Sequence, residues 1–416
     1  MHGIPIKSVK ARVVYNSRGQ ETVEAEVEVE GGFGRAAAPA GASKGEKEVA
    51  YYPPGGAAEA VKLINTQLAA RLVGLDASDQ KLVEDELRKF DGTENFSRLG
   101  GNSAFAVSLA SALAASEAKG VQLFQHLKLT DDPRLPYPLG NVIGGGRHAG
   151  KGAPDWQELL VIPVGAPDIA SAVKANFLVH KRAGRLLDKE LGGFTLGRGD
   201  EGAYAPPVNT EKGLEILGQA ASEISDELGF EVRIGVDVAA SSLWDPGEKL
   251  YIYPTEGAKL SREEQMQRVA EWVDRFKLYY VEDPLDENDM DGFAELSKMV
   301  RGKTLVCGDD LIVTRPDILR EAADRDAVQA VIIKPNQVGL LTVAMESVKL
   351  ALERGIVPVV SHRSGEPPEG HLAQLAVGWG GKVLKAGVMG GERVAKANEL
   401  LRIGEIIGMN RMAVLP

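Results

Sequence analysis

Charged residues follow a series of short apolar runs in the second half of the chain. The runs are RIGVD, YYVED, TLVCGDD, VIIK, PVVSHR and KVLK. Their ends supply three carboxylates, Asp237, Glu282 and Asp309, and two lysines, Lys334 and Lys385. In a parallel β/α barrel, the side chains at the C-terminal strand ends converge on one mouth. The spacing therefore predicts one pocket built from residues that are distant in sequence.

Three carboxylates in one pocket require a positive partner. Two like charges about 4 Å apart repel by roughly 4 kcal/mol at an effective dielectric of 20, so three pairs cost about 12 kcal/mol, comparable with the stability of a domain. Hard oxygen ligands with room for water or substrate suit Mg²⁺. One acid alone could equally cap the helix that follows its strand. Three acids in register with two lysines favour a metal site.

The second half of the chain alternates strand and helix signals. Ser261 to Glu264 form a capping box, Pro316 stands in the first turn of a second helix, and a third helix over residues 340–354 ends at Gly355. Eight apolar runs alternating with helices predict a closed barrel with a parallel sheet. The runs begin near Leu139, Leu159, Arg233, Leu278, Thr304, Val328, Val357 and Lys382.

The first part of the chain has a different pattern. Residues 6–38 predict a strand meander, since residues 22–29 alternate apolar and acidic side chains, and residues 56–127 have helical periodicity. Strands followed by helices are typical of an α+β domain. The proline-rich segment 130–138 is the predicted linker. We expect an N-terminal domain over residues 1–130 and a barrel over residues 138–416.

Composition limits the classes of partner. The chain has 416 residues and a formal net charge of −11, which argues against nucleic acid and anionic membranes as partners. One cysteine, Cys307, excludes an intrachain disulfide. The first residues contain no apolar signal segment, and no apolar stretch is long enough for a membrane span. We expect a cytoplasmic protein.

Seven short motifs, in collinear order, resemble those of the enolase family over roughly residues 6–405. The motifs are NSRG (16–19), GASKG (41–45), GDEG (199–202), EDP (282–284), GDDLIVT (308–314), KPNQVG (334–339) and SHRSGE (361–366). The resemblance implies an enolase-type α/β barrel, a modified TIM barrel, preceded by a smaller α+β domain. It also implies the Mg²⁺-dependent, reversible dehydration of 2-phosphoglycerate to phosphoenolpyruvate in glycolysis and gluconeogenesis, through an ene-diolate.

The resemblance also implies roles for individual residues. Lys334 is the expected base for the C2 proton, and we expect Lys385 and Mg²⁺ to lower its pKa so that it is neutral. Glu201 is the expected acid that assists departure of the C3 hydroxyl. The other residues expected to be catalytic are Glu158, His148, Lys385 and His362.

Metal and substrate ligands follow from the same resemblance. Asp237, Glu282 and Asp309 are expected to hold a first Mg²⁺. A second Mg²⁺, brought in with substrate, is expected to bind Ser43 as its loop closes. The expected substrate-binding residues are Arg363 and Ser364 for the phosphate, Lys385 for the carboxylate, and His148, Gln157 and Ser43.

Several positions depart from the usual family pattern. Lys44 adds a charge to the loop of Ser43, and Pro367 and Pro368 follow the SHRSGE motif. None of these changes removes an expected catalytic residue, and together they indicate a divergent branch.

Two alternatives remain open on the sequence. One is another enolase-superfamily enzyme that abstracts an α-proton from a different carboxylate, and the other is a non-catalytic, enolase-like binding protein. Arg363, Ser364 and Ser43 favour a phosphorylated substrate, and the complete set of ligands and base favours an enzyme. The resemblance further implies a homodimer or a larger homo-oligomer.

Overall fold

The N-terminal part of the molecule is a three-stranded antiparallel sheet covered by helices. A computed structural model describes residues 3–42 and 44–416. The strands are β1 (Ile6–Tyr15), β2 (Glu21–Val29) and β3 (Gly32–Ala37). Along β2, alternate residues such as Val23 and Val27 are fully buried, which is the pattern of a strand with one face on a core. The predicted meander is therefore confirmed.

Five helices follow this sheet. Residues of α4 are almost all buried, and the sheet approaches it so closely that a Cβ added to Gly34 would lie 1.9 Å from the carbonyl oxygen of Ala110. Glycine is therefore required at this contact for reasons of space. The helices are α1 (Gly56–Leu63), α2 (Ala69–Leu72), α3 (Gln80–Asp91), α4 (Gly101–Ala118) and α5 (Leu123–His126), with a π-helical turn at Ile64–Leu68 between α1 and α2.

Eight further strands close into a barrel. The predicted fold class, an α/β barrel preceded by a smaller α+β domain, is confirmed. The barrel order is β4-β5-β6-β10-β11-β12-β13-β14, and β7 to β9 form a separate small sheet. The strands are β4 (Tyr137–Gly144), β5 (Glu158–Ile162), β6 (Arg233–Asp237), β7 (Trp244–Asp245), β8 (Leu250–Tyr253), β9 (Ala258–Leu260), β10 (Tyr280–Glu282), β11 (Leu305–Gly308), β12 (Ala330–Ile333), β13 (Val357–Ser361) and β14 (Val383–Gly387).

Helices pack around the outside of the barrel. The predicted capping box is confirmed, because the Ser261 side chain accepts from the Glu264 N–H and the Glu264 carboxylate accepts from the Ser261 N–H. Among the described residues, no helix has the length and apolarity needed to cross a bilayer. The helices are α6 (Ile169–Leu191), α7 (Thr210–Leu228), α8 (Arg262–Phe276), α9 (Met290–Met299), α10 (Pro316–Asp324), α11 (Leu341–Glu353), α12 (His371–Trp379) and α13 (Gly391–Ile407).

The expectation of a parallel sheet is wrong at one strand, β5, which runs antiparallel to both β4 and β6. The connection from β4 to β5, residues 145–157, contains only a 3₁₀ turn, Gly146–His148, and lacks the helix that usually forms the crossover between parallel strands. Helices α6 and α7 both follow β5 instead. The reversal brings Glu158, the first residue of β5, into register with Asp237, the last residue of β6.

A buried carboxylate ties the N-terminal helices to the barrel. Glu84 of α3 is 1% exposed, and it accepts hydrogen bonds from the backbone N–H groups of Leu341 at 2.8 Å and Thr342 at 3.1 Å. These are the first residues of α11, whose own N-cap residue, Leu340, offers no capping side chain. Glu84 therefore caps a barrel helix from outside the barrel, where a negative charge is favourable.

We expect Glu84→Ala to destabilise the protein. The change leaves two backbone donors at the start of α11 buried without an acceptor, which lowers the free energy of unfolding by about 2–4 kcal/mol. The measurement is the midpoint of urea unfolding followed by circular dichroism. The matched control is Asp85→Ala on the same helix, where the side chain is 54% exposed and the expected loss is within about 0.5 kcal/mol. Equal midpoints for the two variants would contradict the capping role.

Candidate active site

The ammonium of Lys385 lies among three carboxylates at the mouth of the barrel. Its Nζ is 2.8 Å from both oxygens of Glu282, 3.1 Å from Asp237 Oδ2 and 3.3 Å from Glu158 Oε2. Asp237 and Glu282 are the last residues of their strands, and Glu158 is the first residue of the reversed strand. All four side chains are buried. The structure thus brings together residues that the sequence placed at strand ends.

A second lysine is paired with the third predicted carboxylate. Lys334 directly follows β12 and its Nζ donates to Asp309 Oδ2, while Gln337 Nε2 donates to Asp309 Oδ1 at 3.0 Å. Burial alone would lower the pKa of Lys334, but the Asp309 carboxylate outweighs burial, so the pKa is raised above its ordinary value. The expected lowering of this pKa is therefore wrong for the polypeptide by itself, because the closest charge is an anion.

Asp283 fixes the turn that carries Asp309. Its carboxylate accepts from the backbone N–H groups of Asp309 at 2.9 Å and Asp310 at 2.8 Å. Asp283 has φ = 41°, a left-handed conformation that is unfavourable for a residue with a Cβ. Sequence reasoning gave Asp283 no role, although it is the middle residue of the EDP motif. The signal for Asp283 in the sequence is its place directly after the last residue of a strand, and the signal in the structure is its positive φ.

Glu201 lies in a polar pocket next to Glu158. It occupies a 3₁₀ turn with φ = 64°, and Asn141 Nδ2 donates to its Oε2 at 3.0 Å. His148 Nδ1 lies 3.5 Å from Glu158 Oε1 and 3.9 Å from Glu201 Oε1, and His362 Nε2 lies 3.3 Å from Glu201 Oε1. The predicted acid, its predicted supporting carboxyl and both predicted histidines therefore share one pocket.

Burial shifts the pKa values of the ionisable side chains in this pocket. It lowers the pKa of His362 to about 4 and lowers that of His148, so both imidazoles are neutral at neutral pH. Burial, reinforced by the charge of Glu201, raises the pKa of Glu158 well above its ordinary value. Glu158 therefore takes up a proton at a higher pH than an ordinary glutamate does, and it shares this pocket with Glu201.

The predicted phosphate ligands lie directly after β13. The guanidinium of Arg363 is bound by both oxygens of Glu48, at 2.9 and 3.0 Å, and it donates to Tyr51 OH at 2.7 Å. Ser364 Oγ accepts from the backbone N–H of Ala42 at 2.5 Å. Glu48, Tyr51 and Ala42 all precede the barrel, so the N-terminal domain fixes this part of the site. Sequence reasoning missed Glu48, which stands five residues after the GAS motif.

Arg393, at the start of α13, sets the orientation of His362. Its guanidinium lies 2.5 Å from His362 Nδ1 and donates to the carbonyl oxygens of Arg363 and Ser364. An arginine has only donors, so His362 Nδ1 accepts and Nε2 carries the hydrogen that faces Glu201. The sequence gave no signal for Arg393, because the segment around it lacks the run usual in the family.

Two further predicted residues complete the set. Gln157 Nε2 lies 3.4 Å from Asp237 Oδ2, which places it beside the carboxylate cluster. Ser43 lies outside the described residues. Residues of both domains line the pocket, including Gly41 and Ala42 from the N-terminal part of the chain.

The donor set of the mouth fits a hard divalent cation. Burial, and then the charge of Asp237, raise the pKa of Glu282 to about 8, so a nearby cation would favour its ionised form. Among the described residues, Gln157 Oε1 is buried without a hydrogen-bond partner, and Glu158 Oε2 has the ammonium of Lys385 at 3.3 Å. Carboxylate and amide oxygens of this kind are ligands for Mg²⁺.

Among the described residues, there are two groups of side chains that could each hold a metal ion. Within each group, the potential ligand atoms all lie within 4.8 Å of one another. One is formed by Asp283, Asp309 and Asp310, and the other by His148, Glu158 and Glu201. Asp309 belongs to the first group and also to the set expected from the sequence. Asp237 and Glu282 meet at Lys385 instead, so the expected ligand set stays a prediction.

Two protein-family models match this chain, one for each of the two parts of the fold. The family model described as "Enolase, N-terminal domain" matches residues 6–127, and the one described as "Enolase, C-terminal TIM barrel domain" matches residues 132–413. The domain limits predicted from the sequence, 1–130 and 138–416, stay a prediction.

Curated relatives match the chain over nearly its full length. A protein named enolase from Methanothermobacter thermautotrophicus is 48% identical, with 99% of each chain covered. A protein of the same name from Archaeoglobus fulgidus is 47% identical, covering 99% of this chain and all of the relative, and one from Methanosphaera stadtmanae is 45% identical, covering 96% and 97%. The chain therefore belongs to the enolase family of lyases.

Proposed function

We propose that this chain carries out its enolase reaction, the reversible dehydration of 2-phospho-D-glycerate to phosphoenolpyruvate, with Lys334 as the base. The observation that carries the assignment is the largely buried pair of Lys334 and Asp309 beside the Lys385 cluster. Family membership supports the overall reaction, and the pocket supports the residue roles.

Lys334 would take the C2 proton of the substrate. The C2–H bond breaks, the proton passes to Nζ, and the electron pair moves into an ene-diolate at the substrate carboxylate. Lys334 must be neutral to accept the proton. The Asp309 charge raises its pKa in the polypeptide by itself, so the base becomes active only when Asp309 has another positive partner.

Asp237, Glu282 and Asp309 would hold one Mg²⁺, with Ser43 at a second that arrives with substrate. When bound, Mg²⁺ supplies positive charge that stabilises the negative charge developing on the ene-diolate. The fit of the oxygen donors at the strand ends supports this ligand set.

Glu201 and Glu158 would complete the elimination. The C3–O bond breaks, and the departing hydroxide receives a proton and leaves as water. Burial raises the pKa of Glu158, and His148 Nδ1 lies 3.5 Å from Glu158 Oε1 and 3.9 Å from Glu201 Oε1. This arrangement supports Glu201 as the acid, with Glu158 as the group that restores its proton. His362, held by Arg393, orients Glu201.

Lys385, Arg363 and Ser364 would bind the substrate anions. Lys385 would contact the carboxylate, and a guanidinium can bind two phosphate oxygens at once. Gln157 and His148 lie where they can contact the bound substrate. A different α-proton-abstracting reaction and a non-catalytic role are not favoured, because the curated relatives carry the enolase name over the full chain.

The setting of the reaction is a further part of the proposal. We propose a role in glycolysis and gluconeogenesis, a cytoplasmic location and a homodimer or larger homo-oligomer. The family resemblance supports all three, and the net charge of −11 supports a protein that avoids nucleic acid and anionic membranes.

Purified protein mixed with 2-phosphoglycerate should form phosphoenolpyruvate only with Mg²⁺ present. The measurement is the rise in ultraviolet absorbance of phosphoenolpyruvate, first with Mg²⁺ and then with EDTA. A rise that EDTA does not stop would contradict the metal requirement. Folded, Mg²⁺-treated protein that gives no rise would contradict the reaction.

Lys334→Ala should abolish exchange of the C2 proton. Loss of a positioned base lowers such rates by about 10²–10⁴-fold, and exchange in D₂O can be followed by proton NMR. Because Lys334 competes with a cation for Asp309, the Mg²⁺ affinity should be unchanged or higher. Lys298→Ala, a change at an exposed lysine, is the control. Normal exchange in Lys334→Ala would show that the base is a different residue.

Asp309→Ala should weaken Mg²⁺ binding, because it removes an oxygen ligand from a buried site. The measurement is calorimetric titration of metal-free protein with MgCl₂. Asp317→Ala, at an acid that is 59% exposed, is the control and should bind Mg²⁺ as the wild type does. An unchanged titration for Asp309→Ala would remove this residue from the ligand set.

A further inference from the structure

Tyr280 occupies the barrel interior next to the carboxylate cluster. It precedes Glu282 by two residues on β10, so both side chains point to the same side of the strand. Tyr280 is 1% exposed, and Gly235 stands opposite it on β6. A Cβ added to Gly235 would lie 2.9 Å from the Cβ of Tyr280. Because Gly235 has no side chain, it leaves room for Tyr280 on the neighbouring strand.

The hydroxyl of Tyr280 is bonded to one oxygen of Glu282. It donates to Oε2 at 2.6 Å, a short distance typical of a hydroxyl on a carboxylate. Lys385 Nζ lies 2.8 Å from both Oε1 and Oε2. Oε2 thus accepts from two donors and Oε1 from one, among the residues that the structure describes. The two oxygens of Glu282 are not equivalent, because only Oε2 is also held by the barrel interior.

We infer that Tyr280 is a positioning residue that leaves Glu282 a single oxygen for a cation and thereby favours Mg²⁺ over Ca²⁺. This inference rests on the proposed role of Glu282 as a metal ligand. Mg²⁺ takes six ligands in a near-ideal octahedron, whereas Ca²⁺ takes six to eight and often binds both oxygens of a carboxylate. A carboxylate with one oxygen already bonded to a phenol suits the smaller ion.

The hydrogen bond also fixes the direction of the Glu282 side chain. Groups that hydrogen-bond to a metal ligand set its orientation, and their removal typically costs 10–100-fold in metal affinity. Tyr280 makes this bond from a buried position on β10, which is paired with β6 on one side and β11 on the other. The orientation of Glu282 is therefore built into the strand that carries it.

The test compares Mg²⁺ and Ca²⁺ binding to metal-free protein without substrate. Tyr280→Phe removes the hydroxyl and keeps the ring. We expect its Kd for Mg²⁺ to rise and the ratio of the Ca²⁺ Kd to the Mg²⁺ Kd to fall by about tenfold, measured by calorimetric titration with each chloride salt. Tyr251→Phe is the control, since Tyr251 is also 1% exposed but bonds to the backbone of Asp286; its ratio should equal that of the wild type.

Glu282→Gln separates failure of the inference from failure of the ligand assignment. If Glu282→Gln loses Mg²⁺ binding while Tyr280→Phe keeps the wild-type ratio, Glu282 is a ligand and the inference about Tyr280 is wrong. If Glu282→Gln binds Mg²⁺ as the wild type does, the ligand assignment is wrong and the inference falls with it.

A second measurement covers the case in which Tyr280→Phe does not fold. Tyr280 is replaced by 3-fluorotyrosine, which keeps the hydroxyl and the ring. The ¹⁹F signal should shift when MgCl₂ is added and should stay fixed in the same protein carrying Glu282→Gln. A signal that Mg²⁺ does not move would overturn the inference.

Discussion

The burial of several carboxylates at one end of a barrel is the constraint on which the rest of this structure depends. Asp237, Glu282, Asp309 and Glu158 are all buried, and each would be costly there as an isolated charge. Lys385 and Lys334 offset part of the charge by direct contact, and raised pKa values at Glu158 and Glu282 remove another part. Glu158 and Glu282 are therefore hard to ionise without further positive charge, which a divalent cation at the mouth would supply.

The N-terminal domain takes part in the site as well as covering it. Glu48 binds the guanidinium of Arg363, and the backbone of Ala42 bonds to Ser364. Glu84 caps α11 from the same domain. Both domains must therefore be docked before the Arg363 side of the pocket has its final shape. The barrel alone positions the lysines and the carboxylates, and the N-terminal domain holds Arg363 and Ser364.

The sequence predicts the parts of this structure that depend on local patterns. Apolar runs locate the strands, the Ser261 capping box locates a helix start, and the charged residues at strand ends locate the mouth. The reversal of β5 was not predictable, since it depends on the connection over residues 145–157, which has no helix or strand pattern in its sequence. Arg393 and Glu48 were missed because their importance lies in contacts 30 and 315 residues away in the chain. The raised pKa of Lys334 in the polypeptide by itself was also not predicted, because it depends on the contact with Asp309 in space.

The reversed strand divides the pocket into two mechanical parts. Lys334, Lys385 and Asp309 stand on or directly after barrel strands, where the backbone is held by neighbours on both sides. Glu201 stands instead in the connection between α6 and α7, residues 192–209. His148 stands in the connection between β4 and β5, residues 145–157. Loops of this kind open at lower free energy than the strands of a core. Under the proposed roles, the base that breaks the C–H bond stands in the stiffer part of the pocket, and the acid that assists breaking of the C–O bond stands in the part that opens more easily.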